Sequence, residues 1–554
     1  MEKGQIFTIG LRLSRILFKQ PDKPLSTASQ SGTNSTFSFG KEGTNKSHQT
    51  DKTDKGSMSM AKAILSGLLV TQIIATLQVH LSNLDIYHAT KAIADAGYLA
   101  IPNAIVLPTL RSWCPAVWGG LFFTLSIGTG LSILSVLCAW VWVRLLRRNR
   151  IVLIILLFIW IGTLIMANLH GFSPVVSLYF LCVPCVAFWA TLKWMPPQPV
   201  EKSWQKRLCF VIPIAALTGI WMLYAGPTLF LDIRDFLLLT NPIGQKIDAF
   251  YYRFTLYPAE VFKSLNQKTL KTYHFDGESH SSDLKRLERI LINYDYLPID
   301  ADIKVDLEIQ ESDGHLVFKH RGKNILETTL KKVLTRPGDT FSQLSIATDR
   351  FVFFSRVIGI SVLLGFPIFL YIMVFAFIRY ITGFFINESL AYMLTAFAGF
   401  IIGLLLLVPF WMGNVEGRGD TSAMDDLHSD AWQRRVSALR DFINQKQEIG
   451  NIAGYKQLLT SPHVPERYWL AQALGISKDP NTYPDLVMLL NDPHPNVVSM
   501  ALRSLGQRRD KRAIHEILLK IEKSDHWYNQ WYAYRALKSL GWRQSKIGNN
   551  LKRY

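Results

Sequence analysis

Apolar and polar residues follow one another along this chain in long blocks. Seven blocks are almost wholly apolar: about residues 63–81, 116–143, 151–167, 175–192, 209–225, 357–378 and 390–412. Each approaches or exceeds the roughly 20 residues a helix needs to cross a hydrocarbon core about 30 Å thick. The blocks predict a membrane α-helical bundle of about seven transmembrane helices. The last two are parted only by a short link carrying Arg379, Asn387 and Glu388, so they read as a hairpin. A hairpin returns the chain to its starting side. Gln72, Gln78 and His80 weaken the first block, which reads as an uncleaved anchor.

The intervening residues 226–350 change period twice. Residues 229–239 are amphipathic and fit a helix resting on a bilayer, ended by Asn241 and Pro242. Pro258 is expected to open a second helix over residues 259–270. Ser281, Ser282 and Asp283 then cap a run with Leu284, Leu287, Ile290 and Leu291 at helical spacing. Beyond it the period becomes two: Val305, Leu307 and Ile309 alternate with Asp306, Glu308 and Gln310. Asp313 and Gly314 make a turn, and Leu316 and Phe318 continue one face on the return strand. A second turn over residues 321–324 leads into residues 325–330. The segment is therefore expected to be a small inserted α+β domain with a meander of about three strands.

The two ends are polar. Residues 1–62 hold no apolar period after Phe18 and read as a disordered basic tail. Residues 413–425 are a glycine-bearing linker. Composition agrees with this division. At 49% hydrophobic residues and a mean hydropathy of +0.15 the chain is too apolar for an ordinary soluble protein, while 18% charged residues leave room for soluble modules.

The net charge of +18 matters through its placement. Arg144, Arg147, Arg148 and Arg150 crowd one link between apolar blocks, and Lys193, Lys202, Lys206 and Arg207 crowd another. The links of opposite parity hold only Lys91 and Arg111. The excess of positive charge on cytoplasmic loops then puts the N-terminus in the cytoplasm and both soluble modules outside, in a bacterial cytoplasmic (inner) membrane. This distribution needs no nucleic acid to explain it.

Residues 426–554 repeat. Ala438-Leu439-Arg440, Ala473-Leu474-Gly475, Ser504-Leu505-Gly506 and Ser539-Leu540-Gly541 recur, with turn-like Ser461-Pro462-His463, Asp492-Pro493-His494 and Ser524-Asp525-His526 between them. Residues 467–475 with 483–490, and 497–506 with 513–521, resemble the paired helices of HEAT repeats of the short bilin-lyase type. The resemblance implies an α-solenoid whose units bury their apolar stripes only by stacking. Leu474, Leu505 and Leu540 are expected in its core. The first unit departs from the others, with Arg440 at the expected glycine position.

Chemistry is sparse. Gly40 to Ser47 lacks the spacing of a phosphate loop, and zinc-type cysteine pairs are missing from the sequence. Asp295, Asp300, Asp302 and Asp306 read as a solvated strand edge, with a calcium site as the alternative. Cys182 and Cys185 inside an apolar block, with Cys114 near the outer surface, resemble membrane thiol oxidoreductases that pass electrons to quinone. The bland alternative is that small apolar thiols simply pack there. His428, His463 and His494 each precede a repeat leucine by eleven residues and could align as a ligand-binding edge, or merely cap helices.

Three function classes follow. The first is a membrane-anchored scaffold or assembly factor that binds a partner protein through its repeats. Its anchors would be Trp527, Trp531 and Tyr534, with Arg508, Arg509 and Arg512 steering an acidic partner. The second is a thiol-redox enzyme using Cys182 and Cys185. The third is a transporter component, which the near absence of ionisable residues at span centres places last. No cofactor is evident, and the expected partners are membrane lipids and a protein.

Overall fold

The computed structural model describes residues 55–546, apart from 195–203, 225, 227, 256–257, 259, 261, 277–281, 301–303, 313, 417–422 and 453. The expected tail up to residue 54 and the middle of the expected linker lie outside the described residues. The chain is mostly helical. Helix α1 (Lys55–Asp95) begins earlier and runs much further than the first apolar block. Its 41 residues span about 60 Å at 1.5 Å per residue, twice a hydrocarbon thickness. Helices α2 (Trp113–Arg144), α3 (Arg150–Ala167) and α4 (Pro174–Trp194) follow. Helix α5 (Trp204–Tyr224) continues after a 106° bend into α6 (Leu229–Leu238), and α7 (Pro242–Phe254) completes this region.

Six helices are long and apolar enough to cross a membrane, and α5 joins them only when its bent continuation is counted. The other two of the six come late in the chain, at Val352–Thr382 and Leu390–Val408. Small residues set how closely these helices pack. A Cβ on Gly130 would lie 2.0 Å from Ser361 Oγ, and one on Gly67 would lie 2.2 Å from Ser132 Oγ. Such contacts let backbones approach where leucines would hold them apart. Above them, Phe123, Tyr179, Phe262 and Phe354 form an aromatic knot with ring centroids 4.7–6.4 Å apart. The knot ties α2 and α4 to the chain just before the sheet.

The sheet has five strands, β1 (Lys271–Asp276), β2 (Tyr296–Pro298), β3 (Leu307–Ser312), β4 (His315–His320) and β5 (Lys323–Thr329), in the order β2-β1-β3-β4-β5. The antiparallel meander β3-β4-β5 matches the period-two reading. Strands β1 and β2 were not anticipated; they pair in parallel across the crossover helix α8 (Ser282–Asn293). The helix expected over residues 259–270 is largely absent, since residues 262–270 are turn and coil leading into β1. Leu284, Leu287 and Leu291 pack on Tyr273, Ile309, Leu316 and Phe318, and α9 (Leu330–Thr335) and α10 (Pro337–Thr348) close the domain with Val333, Phe341 and Leu344.

After α11 (Val352–Thr382), α12 (Glu388–Glu416) and the short α13 (Ala423–Leu427) comes the repeat module. Its first helices are α14 (Trp432–Gln445), α15 (Val464–Ile476), α17 (Pro495–Arg508) and α19 (Trp527–Ser539). The 3₁₀ turn Tyr455–Thr460, α16 (Tyr483–Met488) and α18 (Ala513–Lys523) lie between them.

The residues before the four first helices, Ala431, His463, His494 and His526, are 32, 31 and 32 apart. This register corrects the triplet reading at both ends of the stack. Phe442 and Leu537 are the equivalents of Leu474 and Leu505, and all four are buried. Leu540 is buried just beyond the last helix. A repeated hydrogen bond supports the register: Arg435, Arg467 and Gln530 each donate to a carbonyl six residues back, at Ser429, Ser461 and Ser524. Gly475 and Gly506 let the next helix close in, since a Cβ there would meet Ser504 Cβ at 2.5 Å and Ala536 Cα at 2.9 Å.

Candidate interaction surface

One polar cluster is built where α6 meets the first two repeat units. Helix α6 turns Asp232, Arg234 and Asp235 inward, and all three are buried. Arg440 of α14 donates Nη1 to Asp232 at 2.9 Å and Nη2 to Asp235 at 2.8 Å. Trp469 of α15 donates Nε1 to the same Asp235 oxygen at 2.8 Å, and Arg234 Nε donates to the other at 2.8 Å. Asp235 is thus saturated by two guanidinium groups and an indole. Arg440 also lies 4.5 Å from the Trp469 ring centroid, and Arg234 lies 3.8 Å from that of Tyr468. Buried charges cost several kcal/mol each unless paired this fully, so the cluster specifies one docked arrangement.

The contact continues along α7. Asn496 Nδ2 donates to Asp248 at 2.7 Å, His494 Nε2 stands 3.8 Å from that carboxylate, and Tyr252 packs on Tyr528 at 4.6 Å. Burial pushes the Asp248 carboxyl up to about 6, against the lowering effect of Arg234 and Asn496. Burial likewise holds the imidazoles of His494 and His526 down at about 4.

Two further seams hold the module. Asn103 Nδ2 donates to the carbonyls of Ile521, Glu522 and Ser524 at 2.7–3.0 Å, while its backbone N–H donates to Gln530. Gln544 binds both the N–H and the carbonyl of Leu99 through its side-chain amide. On the sheet side, Tyr534 donates to Asp295 at 2.6 Å and Lys538 pairs with it at 2.8 Å. Lys271 is buried close by, and desolvation lowers its amine to about 8.

The residues expected to grip a partner are therefore largely committed inside the chain. Trp527 is buried in the last unit, Tyr534 is buried on Asp295, and the Trp531 ring has Lys263 and Arg535 at 5.5 and 4.6 Å. Arg508 donates to the Leu474 and Asp479 carbonyls and to Thr482, so it braces two units. Arg512 pairs with Asp510 and lies over Tyr483. Arg509 takes the left-handed cap position (φ +57°) and is exposed. Of the expected basic patch, Arg508 is an internal brace, while Arg509 and Arg512 are exposed.

The three histidines each have a partner within the chain. His463 stacks on Trp432 at 5.3 Å, the His494 ring accepts from Asn496 N–H, and His428 bonds the Met424 carbonyl. Among the described residues no three His, Cys, Asp or Glu side chains gather as a metal site. Cys182 and Cys185 lie in α4 and Cys114 at the start of α2, all as free thiols.

Residues 452–538 match the family model described as HEAT repeats. The C-terminal module is HEAT-like. No curated protein and no solved structure matches the chain. What distinguishes this HEAT-like stack is the acidic segment Asp232, Asp235 and Asp248 laid against it. The paired carboxylates at i and i+3 in an apolar run were the only sequence signal of that role.

Proposed function

We propose that the chain is an integral membrane scaffold whose HEAT-like module is clamped onto its own membrane-proximal segments and offers its remaining surface to a protein partner. The observation that carries this reading is the Asp232–Asp235–Arg440–Trp469 cluster, which fixes the orientation of the module relative to the apolar helices. A scaffold needs such a fixed orientation, and stacked helical repeats supply an extended face for polypeptides.

Contacts also support the topology inferred from charge. Lys304 pairs with Asp85 beyond the first span, Asn103 and Leu99 meet the HEAT-like module, and Arg350 lies against Gly171. The links around residues 96–112 and 168–173 then share a side with both modules, and the basic links 144–150 and 193–207 take the other. This parity requires α5 to cross, which its 21 residues allow.

The test is photo-crosslinking in native membranes from benzoylphenylalanine placed at exposed Lys456 or His515. One protein should be retrieved from both positions, and Asp235→Lys, which undocks the module, should change its yield. Retrieval of no protein from either position would reject the scaffold reading.

A further inference from the structure

The residues just past the first helices of the repeat units also repeat. Fifteen places after Ala431, His463, His494 and His526 stand Lys446, Lys478, Arg509 and Gly541. Lys446 and Arg509 hold left-handed caps at φ +55° and +57°, and Gly541 does so at +86°. Glycine is the residue this conformation favours, so the backbone gives no reason for a cation in the first and third units. All three cations are exposed, and among the described residues their side chains make no ion pair, ring contact or hydrogen bond. The acids of the same rim are occupied. Glu448 accepts from Ser477 Oγ and the Lys478 N–H, Asp479 from the Asn481 N–H, and Asp510 from the N–H and guanidinium of Arg512. Helices α6 and α7 cross the stack obliquely. They meet Arg440 and Trp469 in the first two units but only the helix starts of the last two, at His494, Asn496 and Tyr528. None of these contacts lies on the rim.

We infer that Lys446, Lys478 and Arg509 bind an acidic segment of a partner protein, extended as polyproline II and carrying a carboxylate at every third residue. The inference rests on the scaffold reading and names the chemistry and spacing of its partner. The spacing follows from the stack. Gly475 and Gly506 bring consecutive first helices together just before the rim, and helices packed in this way stand about 8–10 Å apart. A polyproline II segment has three residues per turn and rises about 3.1 Å per residue, so every third side chain faces the same way about 9 Å on. A polypeptide fits better than a lipid surface for two reasons. The cations come singly, one per unit, and among the described residues of the rim no large apolar side chain is exposed to enter a bilayer.

The experiment titrates the purified full chain in detergent with a fluorescein-labelled peptide of three Glu-Pro-Pro units. One control peptide replaces glutamate by glutamine, and another of the same composition sets the three glutamates side by side. The spaced acidic peptide should bind more tightly than both, and added salt should weaken it. Lys446→Glu, Lys478→Glu and Arg509→Glu together should weaken binding about tenfold, and Lys478→Gln alone about twofold. Lys331→Glu, Lys332→Glu and Lys523→Glu make the same change of charge at exposed positions elsewhere and should leave binding unaltered. Unaltered binding by the triple variant would overturn the inference. If that variant loses its wild-type melting temperature, Lys478→Gln at an unaltered melting temperature decides instead. Equal binding of either control peptide would also overturn it, as would capture of anionic phospholipid vesicles through these cations with no competition from the peptide. Crosslinking from Lys456 or His515 that succeeds while the peptide fails removes the rim site alone; failure of both removes the scaffold reading as well.

Discussion

Arg440 and Arg503 occupy the same position of two stacked repeat units and meet opposite fates. Arg440 is folded into a buried cluster with Asp232, Asp235 and Trp469, while Arg503 stands exposed on the other side of an oblique crossing. A repeat sequence dictates the side chain at a position, but the segment laid across the stack decides whether that side chain is a brace or a free surface. The HEAT-like module is therefore consumed in part by its own chain.

The largest effect should come from the docked half. Asp235→Ala leaves Arg234 buried without its carboxylate, removes the Trp469 acceptor and leaves Arg440 only Asp232, so unfolding should become easier by about 3–5 kcal/mol. Denaturant titration of the detergent-solubilised chain reads this directly. A variant of wild-type stability would mean that water reaches the cluster.

Asn103→Ala tests whether docking is spread along the module. It strips donors from the carbonyls of Ile521, Glu522 and Ser524, and a loss of about 1–3 kcal/mol is expected. Proteolysis of the linker after α12 should also quicken.

A smaller, pH-dependent effect sharpens the contrast. His494 and His526 titrate at about 4 instead of 6.5, so the unfolded chain takes up protons first and stability falls as pH drops from about 6.5 to 4. Asp248, raised from 3.8 to about 6, acts in the opposite direction over about pH 6 to 4. Two histidines against one carboxyl leave a net loosening on acidification. Melting temperature followed from pH 7 to 4.5 should fall, and Asp248→Asn should deepen the fall by removing the opposing group. The open half should respond least: Arg503→Ala is expected to shift unfolding by no more than about 0.5 kcal/mol.

Much of this architecture was legible in the sequence, and the failures share a cause. Apolar blocks located six helices able to cross a membrane, because length and hydropathy are local properties. The period-two run at Leu307, Ile309, Leu316 and Phe318 located the meander. Strand β2 is three residues long and β1 alternates only at Tyr273 and Phe275, so neither carried a run long enough to read. The repeat register slipped in the first and last units because their triplets, Ala438-Leu439-Arg440 and Ser539-Leu540-Gly541, imitate the motif at a three-residue offset.

The amphipathic run at residues 229–239 fits a helix resting on a bilayer, but its sequence did not announce the repeat module it meets. Its apolar face was visible, but the arginine and tryptophan that its carboxylates meet come some 200 residues later. The aromatic residues of the last unit were read as a partner surface for the same reason. Tyr534 had no sequence neighbour to announce Asp295 as its acceptor. Long-range polar pairing leaves no periodic trace, and the interaction surface of this chain is made of it.

The most direct test of the clamp is a double-mutant cycle between Asp232→Ala in α6 and Arg440→Ala in α14, read by denaturant unfolding of the full chain. If the module is docked through this pair, the two changes should be non-additive, with a coupling of about 0.5–3 kcal/mol. Costs that add to within about 0.3 kcal/mol would show that the two residues do not meet and that the HEAT-like module is held elsewhere.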